Sequence, residues 1–287
     1  MSFIVFADGT ANIPASHLGE ISLIPCHYTI DGQSMTYDGN LELFDVKGYY
    51  DRIRNGAKVV TSLINTGEFI EAFRPALLKG LDVIYVSMAS GISGTFQAAR
   101  VAAEELMEEF RGRIIRIIDS KTCGMGTGMQ VLMAEELREE GYGVEQAADI
   151  VNDNVGHACS YFTVDNVGYL VSTGRVSRAV ATACSILNIK PILFGSAEAR
   201  IEQKAICKGR KKSIMMLADK YREKVVDAAK HLVAISHGDC LKDAEELAAR
   251  IRAIAEPREL MIVEHEPFSG AHVGPGMLGL FFYGDER

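Results

Sequence analysis

Between Asp82 and Glu140 the chain alternates short apolar runs with small-residue loops and long stretches rich in Ala, Glu and Leu. Asp82–Val86 has the length of a strand, Ala89–Thr95 reads as a loop, and Phe96–Phe110 favours a helix. Ile114–Ile118 repeats the apolar run, and a glycine-studded loop then leads to a helix ending near Glu140. That order predicts a parallel sheet covered by helices, because a parallel crossover needs a helix-sized connection. Upstream, Phe3–Ala7 ends at Asp8-Gly9 and reads as a buried strand with its exit turn. His27–Ile30 and Gln33–Tyr37 flank Asp31-Gly32, a pair that supplies the positive φ angles of a tight hairpin. Thr66 is placed to cap a helix running to Lys79, with Glu68 in its first turn and Gly80 just past its end.

The second half has a different texture. Apolar segments near Tyr161, Ile189–Phe194, Leu232–Ser236, Leu260–Glu264 and Leu278–Tyr283 read as strands. Helical stretches near Lys212–Val226 and Ala244–Ile254 separate some of them. The less regular order predicts a mixed α+β unit. With 287 residues, the expectation is an α/β chain of two domains, an N-terminal parallel-sheet domain over 1–155 and an α+β domain over 156–287. Charge follows the same division. Residues 1–155 carry 12 Lys and Arg against 22 Asp and Glu, a balance of −10, and residues 156–287 carry 18 against 16, or +2. Neither a repeat nor a low-complexity linker separates the halves, so close packing between them is expected.

The net charge of −8 argues against nucleic acid or an anionic membrane surface as the main partner. No apolar run approaches the ~18 residues that span a bilayer, and the N-terminus lacks a basic secretory segment. The six cysteines are scattered with no Cys-x-x-Cys pair, so a reducing cytoplasm is the expected setting. No histidine pair has metal-site spacing on one helix, and no metal or cofactor is expected.

Five constellations could carry chemistry. Ser90-Gly91-Ile92-Ser93-Gly94-Thr95 joins a strand to a helix start, where small residues, hydroxyls and free N–H groups suit a carboxylate or phosphate. The same residues could simply cap the helix. The loop lacks the Gly-Lys-Ser/Thr of a nucleotide-binding P-loop. Cys123-Gly124-Met125-Gly126-Thr127-Gly128 departs from dinucleotide spacing and reads as close helix–sheet packing. Asp8-Gly9-Thr10 invites comparison with phosphoaspartyl enzymes, but Thr10 stands where those need a second Asp. His272 sits in Gly270-Ala271-His272-Val273-Gly274-Pro275-Gly276, whose glycines and proline impose a specific backbone. His157, His237 and His265 lack such a setting. Finally, Lys208-Gly209-Arg210-Lys211-Lys212 puts cations at a helix start, where they oppose the macrodipole. That cluster reads either as a solvated face or as a contact for an anionic ligand or acidic partner.

In order along nearly the whole chain, these pieces resemble the DegV family of bacterial lipid-binding proteins. The matching residues are Asp8–Pro14, Ile30-Asp31-Gly32, Thr61-Ser62, Gly67-Glu68-Phe69 and Ser90–Thr95. Asp119-Ser120-Lys121-Thr122, Gly174-Arg175-Val176-Ser177 and Leu187-Asn188-Ile189-Lys190-Pro191 follow. Gly209-Arg210-Lys211-Lys212, His237-Gly238-Asp239 and Ala271–Gly276 complete the series. The resemblance implies a two-domain α/β fold related to the substrate-binding part of dihydroxyacetone kinase. It also implies a long-chain fatty acid such as palmitate in an apolar tunnel. Thr61 and Ser93 would hydrogen-bond its carboxylate with His272 close by, supported by Ser62, Gly94, Thr95 and Arg175. Arg210 and Lys211 would lie on a partner-docking surface. By resemblance the protein is no enzyme: it presents the carboxylate to a separate ATP-using fatty acid kinase that makes an acyl phosphate.

Three places depart from the family pattern. Gly9 stands where Ser is usual, Leu63-Ile64-Asn65-Thr66 replaces a more polar stretch containing Pro, and Val171-Ser172-Thr173 lacks the usual basic residues before Gly174-Arg175. A second class stays open on the residues alone, a self-sufficient acyl- or phosphoryl-transfer enzyme using Ser93 or His272. No Ser–His–acid motif supports it. A third is a pure interaction protein.

Overall fold

A computed structural model describes residues 2–177, 180 and 188–287. Leu187, named above, and Cys184, one of the six cysteines, lie outside the described residues. Strands β1 (Phe3–Asp8), β2 (Ser22–Ile24), β3 (Cys26–Ile30) and β4 (Gln33–Tyr37) come first, then α1 (Val46–Arg54) and β5 (Val59–Ser62). Next are α2 (Thr66–Leu78), β6 (Asp82–Ser87), α3 (Thr95–Glu109), β7 (Ile115–Asp119), α4 (Met125–Glu139) and α5 (Val144–Asn154). The remainder holds β8 (Ala158–Thr163), α6 (Gly168–Ser172), β9 (Ile189–Gly195), β10 (Ile201–Lys208) and α7 (Arg210–Lys224). The chain closes with β11 (Leu232–His237), α8 (Leu241–Ile254), β12 (Glu259–Glu264), α9 (Pro267–Val273) and β13 (Leu278–Tyr283).

The expected parallel sheet is present, with order β2-β1-β6-β7 and every pair parallel. Its strands are buried on both faces. Val5, Ala7, Ile84 and Val86 point to the core under α4 and α5, while Phe6, Val83 and Tyr85 point to the core under α2 and α3. The second half forms a six-stranded sheet, β10-β9-β8-β13-β11-β12, antiparallel except between β11 and β12. One face carries α7 and α8; the other packs Ala234, Phe281 and Tyr283 against Met125 and Met129 of α4. Helix α4 therefore serves two cores at once. Its glycines permit this: a Cβ at Gly126 would lie 2.9 Å from the Phe281 ring, and one at Gly128 would strike the Ala11 carbonyl. Close packing, the reading given to that glycine-rich loop, is what the structure shows.

A third sheet, β4-β3-β5, stands apart and packs on α1. Its hairpin has both Asp31 (φ 52°) and Gly32 (φ 82°) left-handed, as a two-residue turn demands. Strands β2, β5 and β10 and helices α1, α5, α6 and α9 lie beyond the sequence reading. One expectation is corrected. The cap of α2 is Asn65, whose side chain accepts from Glu68 N–H while Glu68 reaches back to the Asn65 N–H. Thr66 is instead the first helical residue, because only Asn65 takes the extended backbone that a cap requires. Among the described residues, no helix is long and apolar enough to cross a membrane.

Candidate functional site

In the parallel sheet, connections from β1 run first to β2 on one side and then to β6 on the other. The crevice beyond the carboxyl ends of β1 and β6 is thus the switch point where ligands of open α/β sheets bind. The loop Ser90–Thr95 leaves β6 there. Ser90 is tied back to the end of β7, its Oγ donating to Asp119 Oδ2 at 2.5 Å. Ser93 Oγ pairs with Thr95 Oγ1 at 2.9 Å and accepts the Thr95 N–H at 3.3 Å, so it satisfies part of the α3 start. Gly94 holds the cap position without a side-chain bond, and Thr95 is buried. Residues of the α3 amino end are left facing the crevice, with the positive end of a fifteen-residue helix behind them.

Thr61 arrives from β5. Alternation along that strand turns Thr61 inward and leaves Ser62 exposed, so Ser62 does not join the crevice. Thr61 Oγ1 lies 3.0 Å from His272 Nε2, a contact between residues 211 apart in sequence. His272 sits in the last turn of α9, not in an irregular loop. That helix is fastened by Glu266, whose carboxylate accepts the N–H of Phe268 at 2.5 Å and of Ser269 at 2.8 Å. Tyr49 O–H to Pro267 O (2.6 Å) and Tyr50 O–H to His265 O (3.0 Å) tie it to α1. Burial, aided by the neighbouring Arg175 charge, pushes His272 down to about 4, so its imidazole is neutral at ordinary pH. Its buried Nδ1 has no partner among the described residues.

Arg175 completes the group. Its guanidinium is half-buried and donates to the Thr173 carbonyl at 2.6 Å. Among the described residues no carboxylate pairs with it, and burial lowers its pKa. Thr61, Ser93, Gly94 and Arg175 border one cleft of about 420 Å³, with Leu63 and Phe268 as apolar neighbours. Immediately inside, Ser93, Arg175, Phe268 and His272 border a small apolar chamber that also touches Ile92, Cys123, Ile201 and Val273. Those last four residues also line a deeper chamber, walled by Phe162, Met277 and Phe281 of the six-stranded sheet and its approach. Each chamber has about 30 Å³, so two small, mostly apolar spaces with shared walls lie next to the polar cleft. The charge and hydroxyls at the mouth suit a carboxylate, and the side chains behind it are mostly apolar.

Arg210 and Lys211 do not border the cleft. Arg210 Nε donates to Asp243 at 2.8 Å, and its Nη1 lies 3.7 Å from Asp165. Lys211 is exposed. Asp8 is also outside the site: it is 1% exposed and accepts from Thr10 N–H, Thr10 O–H and Tyr85 O–H. Reading the residues alone passed over His265, which is 1% exposed and lines the deeper chamber. Its one sequence signal is position, just past the apolar run Leu260–Glu264 at the end of a strand. Among the described residues, no three His, Cys, Asp or Glu side chains converge to hold a metal ion.

Comparisons with known proteins agree with this architecture. The family model described as "Uncharacterised protein, DegV family" matches residues 2–285. A DegV domain-containing protein of Clostridium perfringens is 31% identical over 99% of this chain and 98% of its own. Among solved structures, a DegV family protein of Thermus thermophilus, described by its fatty acid binding, superposes with a TM-score of 0.88. It is 25% identical over 99% of this chain and all of that one. The Streptococcus pneumoniae Fatty Acid Kinase (Fak) B3 protein, loaded with linoleic acid, gives 0.86 over 99% of this chain and all of that one. At 18% identity, that second likeness speaks for the fold. With its fold, its cleft and a match along almost its whole length, the chain belongs to the DegV family.

Proposed function

We propose that this protein binds a long-chain fatty acid and presents its carboxylate to a separate ATP-dependent fatty acid kinase. The observation that carries this reading is Arg175, a half-buried cation without a carboxylate partner among the described residues. It shares a cleft with Thr61 and Ser93 at the start of α3, next to the two mostly apolar chambers. In this reading Arg175 and the two hydroxyls take the carboxylate, and neutral His272 orients Thr61. Gly94 and Thr95 shape the helix start. The described fatty acid binding of the Thermus relative and the kinase role in the pneumococcal protein's name support it.

Energetics favour retention. About fifteen methylenes at ~0.8 kcal/mol each give roughly 12 kcal/mol of gross burial, part of which offsets association and ordering. Orientation therefore needs only one cation and two hydroxyls. We take residues 1–155 to supply most of the mouth and 156–287 to supply Arg175, His272 and the far wall. For partner docking, exposed Lys211 is available, whereas Arg210 is engaged by Asp243. Free thiols at Cys26, Cys123, Cys159, Cys207 and Cys240 suit a cytoplasmic setting.

The self-sufficient enzyme gains no support from the geometry. Ser93 bonds Thr95 and not His272, and among the described residues no carboxylate orients the His272 ring. Native mass spectrometry of freshly purified protein tests the binding reading. A co-purified species of fatty-acid mass is expected, and delipidated protein should take up palmitate. A bare chain mass together with no uptake would overturn it. Presentation is tested by trapping acyl phosphate with hydroxylamine when loaded protein meets an ATP-using kinase. Turnover of ATP by the chain alone would favour the enzyme instead.

A further inference from the structure

Among the described residues, His265 is a buried histidine, 1% exposed, with both ring nitrogens unpartnered. Burial and the neighbouring His237 push it down to about 3, so the ring is neutral, with one N–H donor and one acceptor nitrogen. A buried polar group without a partner costs about 1–3 kcal/mol, and such groups are rare in folded proteins. The backbone around it is tightly fastened. His265 N–H donates to the His237 carbonyl at 2.7 Å, and its own carbonyl accepts from Tyr50. A Cβ at Gly124 would lie 3.1 Å from the ring. The fold thus holds an imidazole against the deeper chamber.

That chamber is where the tail of an acid anchored at Thr61, Ser93 and Arg175 must run. It shares Ile92, Cys123, Ile201 and Val273 with the chamber next to the mouth. Most of its wall is apolar: Ala89, Ile92, Phe162, Val273, Met277 and Phe281. A simple hydrocarbon would leave both ring nitrogens unpaired. A single water is the competing occupant: the Thr122 hydroxyl on the wall is already shared with Ser120 and Thr127, and Ser160, Lys121 and Arg200 border the same space. A hydroxyl fixed to the chain faces no separate cost of immobilisation.

We propose that His265 reads a polar substituent on the acyl chain, and that the preferred ligand class is a hydroxylated long-chain fatty acid. This rests on the fatty-acid reading above and deepens it. His265 then acts as a specificity residue deep in the tunnel, separate from the carboxylate anchors at its mouth. A hydroxyl suits it better than a carbonyl, because it both donates and accepts and so pairs with either ring tautomer.

Equilibrium affinities of delipidated protein for a positional panel of monohydroxy-octadecanoic acids, octadecanoic acid and oleic acid test the proposal. One hydroxy isomer should bind at least about tenfold more tightly than either unsubstituted acid. In His265→Phe that ratio should fall to about one, and in His265→Gln, which keeps a donor and an acceptor, part of it should return. Equal affinities across the panel in the wild type overturn the proposal and leave fatty-acid binding standing. Oleic acid matching the best hydroxy isomer also overturns it, since chain shape then sets the preference. A preference unchanged in His265→Phe assigns the hydroxyl to another group and likewise overturns it. Failure of every acid to bind overturns the fatty-acid reading together with this one.

Discussion

Two polar clusters lie near the carboxyl ends of the parallel strands, and they are built in opposite ways. Around Asp8 the bonding is closed. Its carboxylate takes the Thr10 N–H, the Thr10 hydroxyl, the Tyr85 hydroxyl and the Cys26 thiol. Nearby Asn12 donates to Glu264 O and accepts the Glu266 N–H. Around Arg175 the bonding is open. Among the described residues the cation has only a backbone carbonyl, and His272 Nδ1 has no partner. Closed networks hold a fold in one arrangement, whereas an open one with a cation at a cleft is prepared for an anion. The Asp8 motif draws the eye in the sequence and proves structural. Arg175 carries little signal there and borders the cleft.

Each of four measurements could break that contrast. Asp8→Ala should have the largest effect, lowering stability by roughly 3 kcal/mol or more in urea denaturation, since several buried donors lose their acceptor. A loss under about 1 kcal/mol would show that the network is not closed. Arg175→Gln should weaken fatty-acid binding by about 30- to 100-fold, the scale of a charge-assisted bond. Its stability should stay within about 0.5 kcal/mol of wild type. Competitive displacement of a fluorescent fatty acid reads the first quantity and urea midpoints the second; the opposite pattern would make Arg175 structural. Thr61→Val combined with Ser93→Ala should cost about tenfold in affinity, less than the cation, because neutral bonds exchange with water. Unchanged binding would remove both hydroxyls from the site.

The smallest effect concerns pH. His272 is pushed down to about 4 from 6.5, so between those values the unfolded chain takes up a proton that the native one refuses. Its contribution to stability therefore rises with pH through that window. Glu266, pushed up to about 7 by burial, works in the other direction, and its contribution falls as pH rises from about 4.5 to 7. Urea midpoints across this range should rise less steeply in His272→Gln and more steeply in Glu266→Gln than in the wild type. Parallel curves would mean that neither group titrates as its burial implies.

Local chemistry was legible wherever a residue's role depends on its near neighbours. The Asp31-Gly32 hairpin follows from two positive φ angles, and the run Asp82–Glu140 from the alternation of strand and helix periods. Elements that depend on distant partners were not legible. Strand β10, Ile201–Lys208, is largely polar and exposed, and it is a strand because β9 pairs with it across a register shift near Gln203. Strand β5 is only four residues and gains its place from β3. Helix α9 reads as a glycine loop until Glu266 and the α1 tyrosines are seen holding it. Within the site, Ser93 could be placed at a helix start from its loop alone. The glycine and proline setting singled out His272 and the resemblance supplied Thr61, but their contact needed the fold.

The sequence by itself determined the layers and their kinds: a parallel sheet wrapped by helices, then a mixed sheet, on a chain of net acidic charge. Periodicity and turn chemistry act over a few residues, so they survive in a linear string. Only the tertiary structure decided which polar groups are satisfied. Asp8 and Arg175 are both partly or wholly withdrawn from water, and their difference lies in whether a distant residue meets them. The same holds for His265, whose unpaired nitrogens become informative only once a chamber closes around them. A partner's absence is a fact about space, and no spacing along the chain records it.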